Sequence, residues 1–267
     1  MDIFPVKGSS LEDLKLKDSV IILPAVATGN VGELAVEILL ASLPVRLAAY
    51  IENENVLPCV GNDPVSISNP GALSTVLELF EVMPGTSSKP ESDVKVYLLQ
   101  QRAPAMQGRQ AAYAQSIVAW AQSHRVGRLV VLSGLDASLC KDKQLLGPTA
   151  RYYSISDTKE AAAAQSLGIE ALEAEYLQEE RELHGLLPPW PLLAAAASHT
   201  LPALMLACFA SEGDNIPQAM QLATYTRDLM PTLVGTALTA SAAAVLRIPC
   251  SFASLFGRSS GFESFLG

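Results

Sequence analysis

Few residues of this 267-residue sequence are charged, and few are of the types that build metal or redox centres. Charged residues make up 17% of it, and it contains three histidines and four cysteines. The cysteines lie far apart without a C-x-x-C pair, and the histidines do not cluster with them. We therefore expect no zinc site, and we expect free thiols in a reducing cytosolic or nuclear compartment.

Further absences narrow the classes of partner. The net charge is −9, the sequence pI is near 4.9, and there is no basic stripe, which argues against nucleic acid and anionic membranes. Residues 1–19 lack a basic region followed by an apolar core, so we expect no secretory signal. The most membrane-like run, 192–210, is interrupted by His199 and Pro202. It is predicted as a buried helix and strand rather than a membrane span.

Apolar residues, by contrast, are abundant. They make up 49% of the chain, which suggests that much surface is buried in the core or against a partner. The length fits one or two domains, and a chain of this length can bury a large core without needing disulfide bonds or metal ions for stability.

The stretch 20–43 predicts a strand, a turn and a helix. Residues 20–23 form a continuous β-branched and apolar run typical of a strand covered on both faces, and Pro24 ends it. Asn30 is predicted to cap the helix, with Glu33 completing a capping box. Residues 34, 35, 38 and 39 then share one apolar face.

The remaining patterns predict alternating strands and helices. A strand at 45–51 completes a β-α-β unit, which implies parallel pairing with the first strand. Residues 77–82 and 94–100 suggest a hairpin. Other strands are predicted at 128–133, 151–156 and 203–209, and helices at 108–124, 158–182 (interrupted at Gly168), 192–199, 218–230 and much of 232–246.

These elements predict an α/β fold for residues 1–267. We expect one three-layer domain with a mostly parallel mixed sheet and helices on both faces. Residues 247–267 are predicted to form a C-terminal tail.

Gly29, Asn30 and Gly32 follow the first strand and open the first helix. Free N–H groups at such a position can bind phosphate. The segment, however, lacks the third glycine of G-x-G-x-x-G and the G-K-[ST] of a P-loop. A tight turn that lets the helix pack near the sheet is the favoured interpretation.

A second loop, 211–217, joins a buried strand to a helix. Glu212 and Asp214, with Asn215, could coordinate a hard cation. The favoured interpretation is a turn in which Gly213 takes a positive φ, Asp214 or Asn215 caps the following helix, and Pro217 occupies its first turn.

Four stretches of the sequence resemble the proteasome assembly chaperone family, and within it the chaperone 2 proteins. The most specific is Ser211–Ala219, SEGDNIPQA, in combination with Leu23–Val26 and Gly29–Gly32. Supporting matches are Val60–Pro64, which contains Gly61 and Asn62, and Ile248-Pro249 with Leu255–Gly257.

The resemblance implies a nucleoside-phosphorylase-like fold without the catalytic residues, and therefore no cofactor. It further implies a heterodimer with proteasome assembly chaperone 1 that binds proteasome α subunits. That heterodimer would promote α-ring assembly and prevent off-pathway α-ring association and premature activator docking. The expected location is the cytoplasm and nucleus.

Family tails can enter pockets between α subunits, where a terminal carboxylate and an apolar anchor are captured. In this sequence Phe265 and Leu266 would be the anchor and Gly267 would supply the carboxylate. Leu266 stands where the family pattern has tyrosine. A disordered tail, or one packed on its own chain, is the alternative.

Two other functions remain open from the residues alone. One is an enzyme of the nucleoside-phosphorylase type, with phosphate at Gly29–Gly32 and Glu212 or Asp214 near the base. The other is a nucleotide- or metal-sensing module.

Overall fold

A computed structural model describes residues 1–63, 71–83, 94–140, 149–156, 159–234 and 244–254. The strands in these residues are β1 (Asp2–Pro5), β2 (Val20–Pro24), β3 (Val45–Glu52), β4 (Val60–Asn62), β5 (Leu73–Thr75), β6 (Leu77–Val82), β7 (Val96–Gln101), β8 (Arg128–Asp136), β9 (Ala150–Ser154), β10 (Glu170–Ala171) and β11 (Ala203–Ala210). The helices are α1 (Val31–Ser42), α2 (Gln110–Ser123), α3 (Lys159–Ser166), α4 (Ala174–His184), α5 (Trp190–Ser198) and α6 (Ile216–Val234).

Nine of the strands form one mixed sheet in the order β1-β3-β6-β7-β2-β8-β11-β9-β10. The central strands β7, β2, β8 and β11 run parallel. Antiparallel pairs flank them, β6 against β7 on one side and β9 against β11 on the other. β4 and β5 form a separate hairpin.

Helices cover both faces of the sheet, as expected. One apolar cluster joins α2, α4 and α5 to the sheet, and the other joins α1, α3 and α6 to its opposite face. Alternate residues of β2 enter the two clusters: Ile21 and Leu23 belong to the first, and Val20 and Ile22 to the second. Every residue of β2 is buried, which confirms the prediction of a strand covered on both faces.

The predicted hairpin of β6 and β7 is confirmed, with Leu77 opposite Gln101. The predicted interruption of the helix at Gly168 is also confirmed, since Gly168 has a φ of +80° and lies between α3 and β10. The predicted buried helix and strand in 192–210 are confirmed as α5 and β11. No helix within the described ranges is long and apolar enough to cross a membrane.

The predicted pairing of the first two β-α-β strands is wrong. β3 pairs with β1 and β6, both antiparallel, and β6 and β7 separate it from β2. The hairpin lies between the two strands because β6 pairs with β3 and β7 pairs with β2. The sequence analysis predicted no strand before residue 20, whereas β1 forms an edge of the sheet.

Residues 244–254, which include the start of the predicted tail, return to the helical layer of α1 and α6. The Arg247 amide donates to Ser42 Oγ at 2.8 Å, and Arg227 Nη1 donates to the Ala244 carbonyl at 3.1 Å. Phe252 is buried in the second apolar cluster. Residues 255–267 lie outside the described residues.

Candidate functional site

The two loops singled out in the sequence meet at the carboxyl ends of the parallel strands. A 3-10 turn, Thr28–Asn30, follows β2, and residues 211–215 follow β11. A Cβ built on Gly29 would lie 2.9 Å from Asn215 Cγ and 3.2 Å from Ala210 Cβ, and Gly29 has a φ of +65°. This contact between the loops requires glycine, because a side chain would strain the backbone and occupy the space of Asn215.

Hydrogen bonds within the second loop confirm its interpretation as a turn. The buried Asn215 side chain donates from Nδ2 to the Ser211 carbonyl at 2.7 Å and the Gly213 carbonyl at 3.2 Å. Asp214 Oδ1 accepts from the Ile216 amide at 3.0 Å at the start of α6, and Gly213 has a φ of +133°. Among the described residues no group of three or more His, Cys, Asp or Glu residues could hold a metal ion.

Gly32 allows α1 to begin directly against the sheet. A Cβ on Gly32 would lie 2.9 Å from the Leu132 carbonyl carbon and 3.2 Å from the Ala25 carbonyl oxygen. Gly134 of β8 is equally close to the preceding turn: its Cβ would lie 3.0 Å from the Thr28 carbonyl carbon. Both glycines therefore serve the close packing of turn, helix and strand, as the favoured interpretation of the first loop predicted.

The predicted cap at Asn30 is wrong. Asn30 has a φ of +52° and makes no side-chain capping bond. A capping residue takes an extended conformation that aims its side chain at the first amides of the helix. The left-handed backbone that closes the tight turn does not allow that geometry.

Gly61 and Asn62 lie in the exposed strand β4. They line neither of the two cavities next to the loops. The tail residues Phe265, Leu266 and Gly267 fall outside the described residues.

A cavity of about 610 Å³ opens beside the first two turns of α1. Its polar wall includes Glu33, Glu37, Gln100, Arg102 and Glu212. Glu37 Oε1 accepts from Arg102 Nη1 at 2.7 Å and from Gln100 Nε2 at 3.1 Å. This wall therefore combines three carboxyl groups with one guanidinium group that is already paired.

The two carboxyl groups of α1 that line the cavity, those of Glu33 and Glu37, have raised pKa values. Burial raises the pKa of Glu33 to about 8, and Glu37 nearby adds to the effect. Burial also raises the pKa of Glu37, although Arg102 opposes the shift. Phosphate suits cationic or N–H-lined sites, so this acidic wall beside Gly29–Gly32 offers no support for the phosphorylase alternative.

Sequence reasoning missed the polar wall of this cavity. Glu33 and Glu37 are one helical turn apart on a helix that is otherwise apolar on its buried side. Gln100 and Gln101 end a strand whose residues are all buried, and Arg102 follows directly. Two polar groups at the carboxyl end of a buried strand, facing two acids at i and i+4, would have indicated the site.

A second cavity, of about 550 Å³, lies on the other side of the Glu212 loop. Buried Glu180 orders its far wall: it accepts from Tyr176 Oη at 3.2 Å, and its Oε2 lies 3.2 Å from His184 Nδ1. Trp190 Nε1 lies 3.5 Å from Glu180 Oε1. The first two contacts lie within α4, and the third joins α4 to α5.

The fold is that of a three-layer α/β protein. Its mixed sheet has a parallel centre, a helical layer on each face, and loops that require glycine at the carboxyl ends of the parallel strands. The PAC2 family profile matches residues 21–229, and the chain belongs to the PAC2 family.

Curated relatives carry the name proteasome assembly chaperone 2. The chain is 30% identical over 235 residues to that protein of Nematostella vectensis, covering 83% of this chain and 93% of the relative. It is 27% identical to the Homo sapiens protein, covering 94% and 95%.

Solved structures show the same fold. Pyrococcus furiosus PbaA, described as an archaeal homolog of proteasome-assembly chaperone, matches with a TM-score of 0.59 and 15% identity over 88% of this chain and 82% of that one. Pyrococcus furiosus PbaB, described as an archaeal proteasome activator, matches with a TM-score of 0.59 and 13% identity over 90% and 92%.

Proposed function

We propose that this protein is a non-catalytic chaperone of proteasome assembly. The observation that carries the proposal is the PAC2 family match over residues 21–229, joined to 30% identity with a proteasome assembly chaperone 2 over most of both chains. The glycines of the first loop support a role in packing, because protein atoms fill the space beside Gly29 and Gly32.

The finer form of the proposal is a heterodimer with proteasome assembly chaperone 1. That pair binds proteasome α subunits, promotes assembly of the α-ring, and prevents off-pathway α-ring association and premature activator docking. It works in the cytoplasm and nucleus. Exposed leucines at the end of α4 support contacts with another protein: Leu183, Leu186 and Leu187 are 62%, 83% and 47% exposed, and clustered exposed apolar groups mark interaction surfaces.

Native affinity purification with mass spectrometry tests this proposal. The expected result is an equimolar second chaperone with α-ring subunits and little mature proteasome. A Gly61→Ala variant is a suitable matched control, because a Cβ there meets nothing within 4 Å and the recovered proteins should not change. Recovery of the chain alone, as a monomer or homo-oligomer, would contradict the assembly role.

We further propose that the tail binds the α-ring through Phe265, Leu266 and the Gly267 carboxylate. Removing residues 264–267 should weaken α-ring binding and leave the heterodimer intact, because Phe252 and the preceding residues pack within the domain. Binding is measured by co-sedimentation with α-ring assemblies, and Ser264→Ala is the control. Unchanged α-ring affinity after the deletion would refute the tail contact while leaving the chaperone proposal standing.

A further inference from the structure

The cavity beside α1 contains hydrogen-bond acceptors that lack donors. Glu33 Oε2 and Gln100 Oε1 are both buried without a hydrogen-bond partner among the described residues. Gln100 is only 1% exposed, and its amide is fixed because Nε2 donates to Glu37. Unpaired buried oxygen atoms are costly. Gln100 Oε1, and Glu33 Oε2 once its carboxyl group has lost its proton, therefore indicate a ligand that donates hydrogen bonds.

The charges of the cavity wall indicate whether that ligand is a cation or an anion. Glu33, Glu37 and Glu212 come from α1 and the loop after β11, whereas Arg102 at the end of β7 is the cation among the lining residues. Arg102 Nη1 is 2.7 Å from Glu37 Oε1. Its Nε and Nη2 atoms are also buried and unpaired, but an anion bound there would lie next to the Glu37 carboxylate. Acceptors and net charge together favour a cation.

We propose that this cavity binds an alkylammonium group, whose N–H groups donate to Glu33 and Gln100. The size of the cavity, about 610 Å³, is within the range of small-molecule sites. Val26, Leu34, Ala103 and Pro104 supply an apolar wall for the alkyl chain. The group comes from a free amine or from a lysine side chain, and this site is independent of the proposed assembly function.

Binding of the ammonium group is coupled to the loss of a proton from the Glu33 carboxyl group. Below about pH 8 the free protein keeps this carboxyl protonated because it is buried. An ammonium group stabilises the carboxylate, so binding releases a proton and affinity rises with pH up to about 8. Glu37 on the same helix, Arg102 and Glu212 face the same cavity, and Glu37 is paired with Arg102.

Calorimetric titration of the full chain with hexylamine tests the proposal. Hexanol and hexanoate are the neutral and anionic probes with the same alkyl chain. We expect hexylamine to bind at least tenfold more tightly than hexanol at pH 7.5 and to release protons, counted in two buffers of different ionisation enthalpy. No hexylamine binding at millimolar concentration, or tighter binding of hexanoate, overturns the proposal.

The variant Glu33→Gln separates the site from nonspecific binding. It should weaken hexylamine about tenfold and remove the pH dependence, whereas Glu12→Gln, an exposed carboxyl group elsewhere, should do neither. A Glu33→Gln protein with unchanged affinity and pH dependence overturns the proposal. Titration with Nα-acetyl-lysine methylamide identifies the source: tighter binding than hexylamine supports a lysine side chain, and weaker binding supports a free amine.

Discussion

At the scale of single residues, the close approach at Gly32 makes a direct prediction. Gly32→Ala should lower the free energy of unfolding by roughly 1–3 kcal/mol or more, because its Cβ would press on the backbone of Leu132 and Ala25. Gly61→Ala should change it by less than about 0.5 kcal/mol, since the space around Gly61 is open. Urea unfolding of both variants measures the difference, and equal stability would contradict the packing role of Gly32.

Glu33 predicts a pH dependence of stability. Its pKa in the folded protein is raised from 4.5 to about 8, so the folded state holds a proton that the unfolded state has lost. The stabilising effect of that proton is fully present below about pH 4.5 and is lost as pH rises to about 8. The loss amounts to roughly 3–5 kcal/mol.

Glu33→Gln should remove this loss, because glutamine stays neutral. We expect the wild type and the variant to have similar melting temperatures at pH 5, and the variant to be the more stable at pH 9. Thermal unfolding from pH 5 to 9 measures the difference, with Glu12→Gln as the control. Parallel curves for the wild type and Glu33→Gln would show that the carboxyl group titrates normally.

At the scale of elements, Glu81 joins neighbouring parts of the sheet. This carboxyl group on β6 is 4% exposed, and it lies 2.6 Å from Arg46 Nη2 of β3 and 2.7 Å from Lys95 Nζ before β7. Burial alone would raise its pKa, but Lys95 and Arg46 outweigh burial and hold the pKa below its usual value. Its stabilising effect is therefore present above about pH 4.5 and lost as pH falls.

Glu81→Gln should lower the free energy of unfolding by about 1–2 kcal/mol at pH 7. The difference from the wild type should shrink at pH 3.5, because the stabilising effect of the carboxylate is lost as pH falls. Urea unfolding at both pH values tests this, and Glu12→Gln should match the wild type at each. A constant difference at both pH values would mean that the ion pairs do not stabilise the hairpin.

Local sequence patterns predicted the elements well, for physical reasons. The run 20–23 is apolar on both sides of the strand, so its side chains are removed from water only when both faces are covered. Residues 34, 35, 38 and 39 of α1 share one helical face, and all four are buried. The turn at 211–217 was equally readable, because Gly213, Asp214 and Asn215 each have a preferred local conformation.

Long-range pairing could not be predicted in the same way. β3 has a strand-like sequence, but nothing in it specifies β6 and β1 as neighbours rather than β2. The cavity beside α1 was missed for the same reason: Glu33 and Gln100 are distant in sequence, and only the parallel pairing of β7 and β2 brings Gln100 beside the helix that follows β2. Asn30 failed as a cap because a tertiary demand for a tight turn overrode its local preference.

At the scale of the whole molecule, the proposed heterodimer predicts a dependence of stability on its partner. A partner that binds only the folded chain raises the melting temperature by mass action. We expect this chain, co-expressed with proteasome assembly chaperone 1, to melt several degrees higher than the chain alone. Differential scanning calorimetry of both samples measures the shift, with an equal amount of an unrelated protein as the control. Identical melting temperatures would contradict an obligate pair.

The close approach of Gly134 to Thr28 has a genetic consequence. Every single-nucleotide missense change of a glycine codon introduces a residue that carries a Cβ, and at this position the Cβ would meet the Thr28 carbonyl group. Codon 134, like codon 32, therefore has no tolerated missense neighbour in the genetic code. Missense variants should be absent from both codons and present at codon 61, so the missense variants found in a population report the packing of this turn.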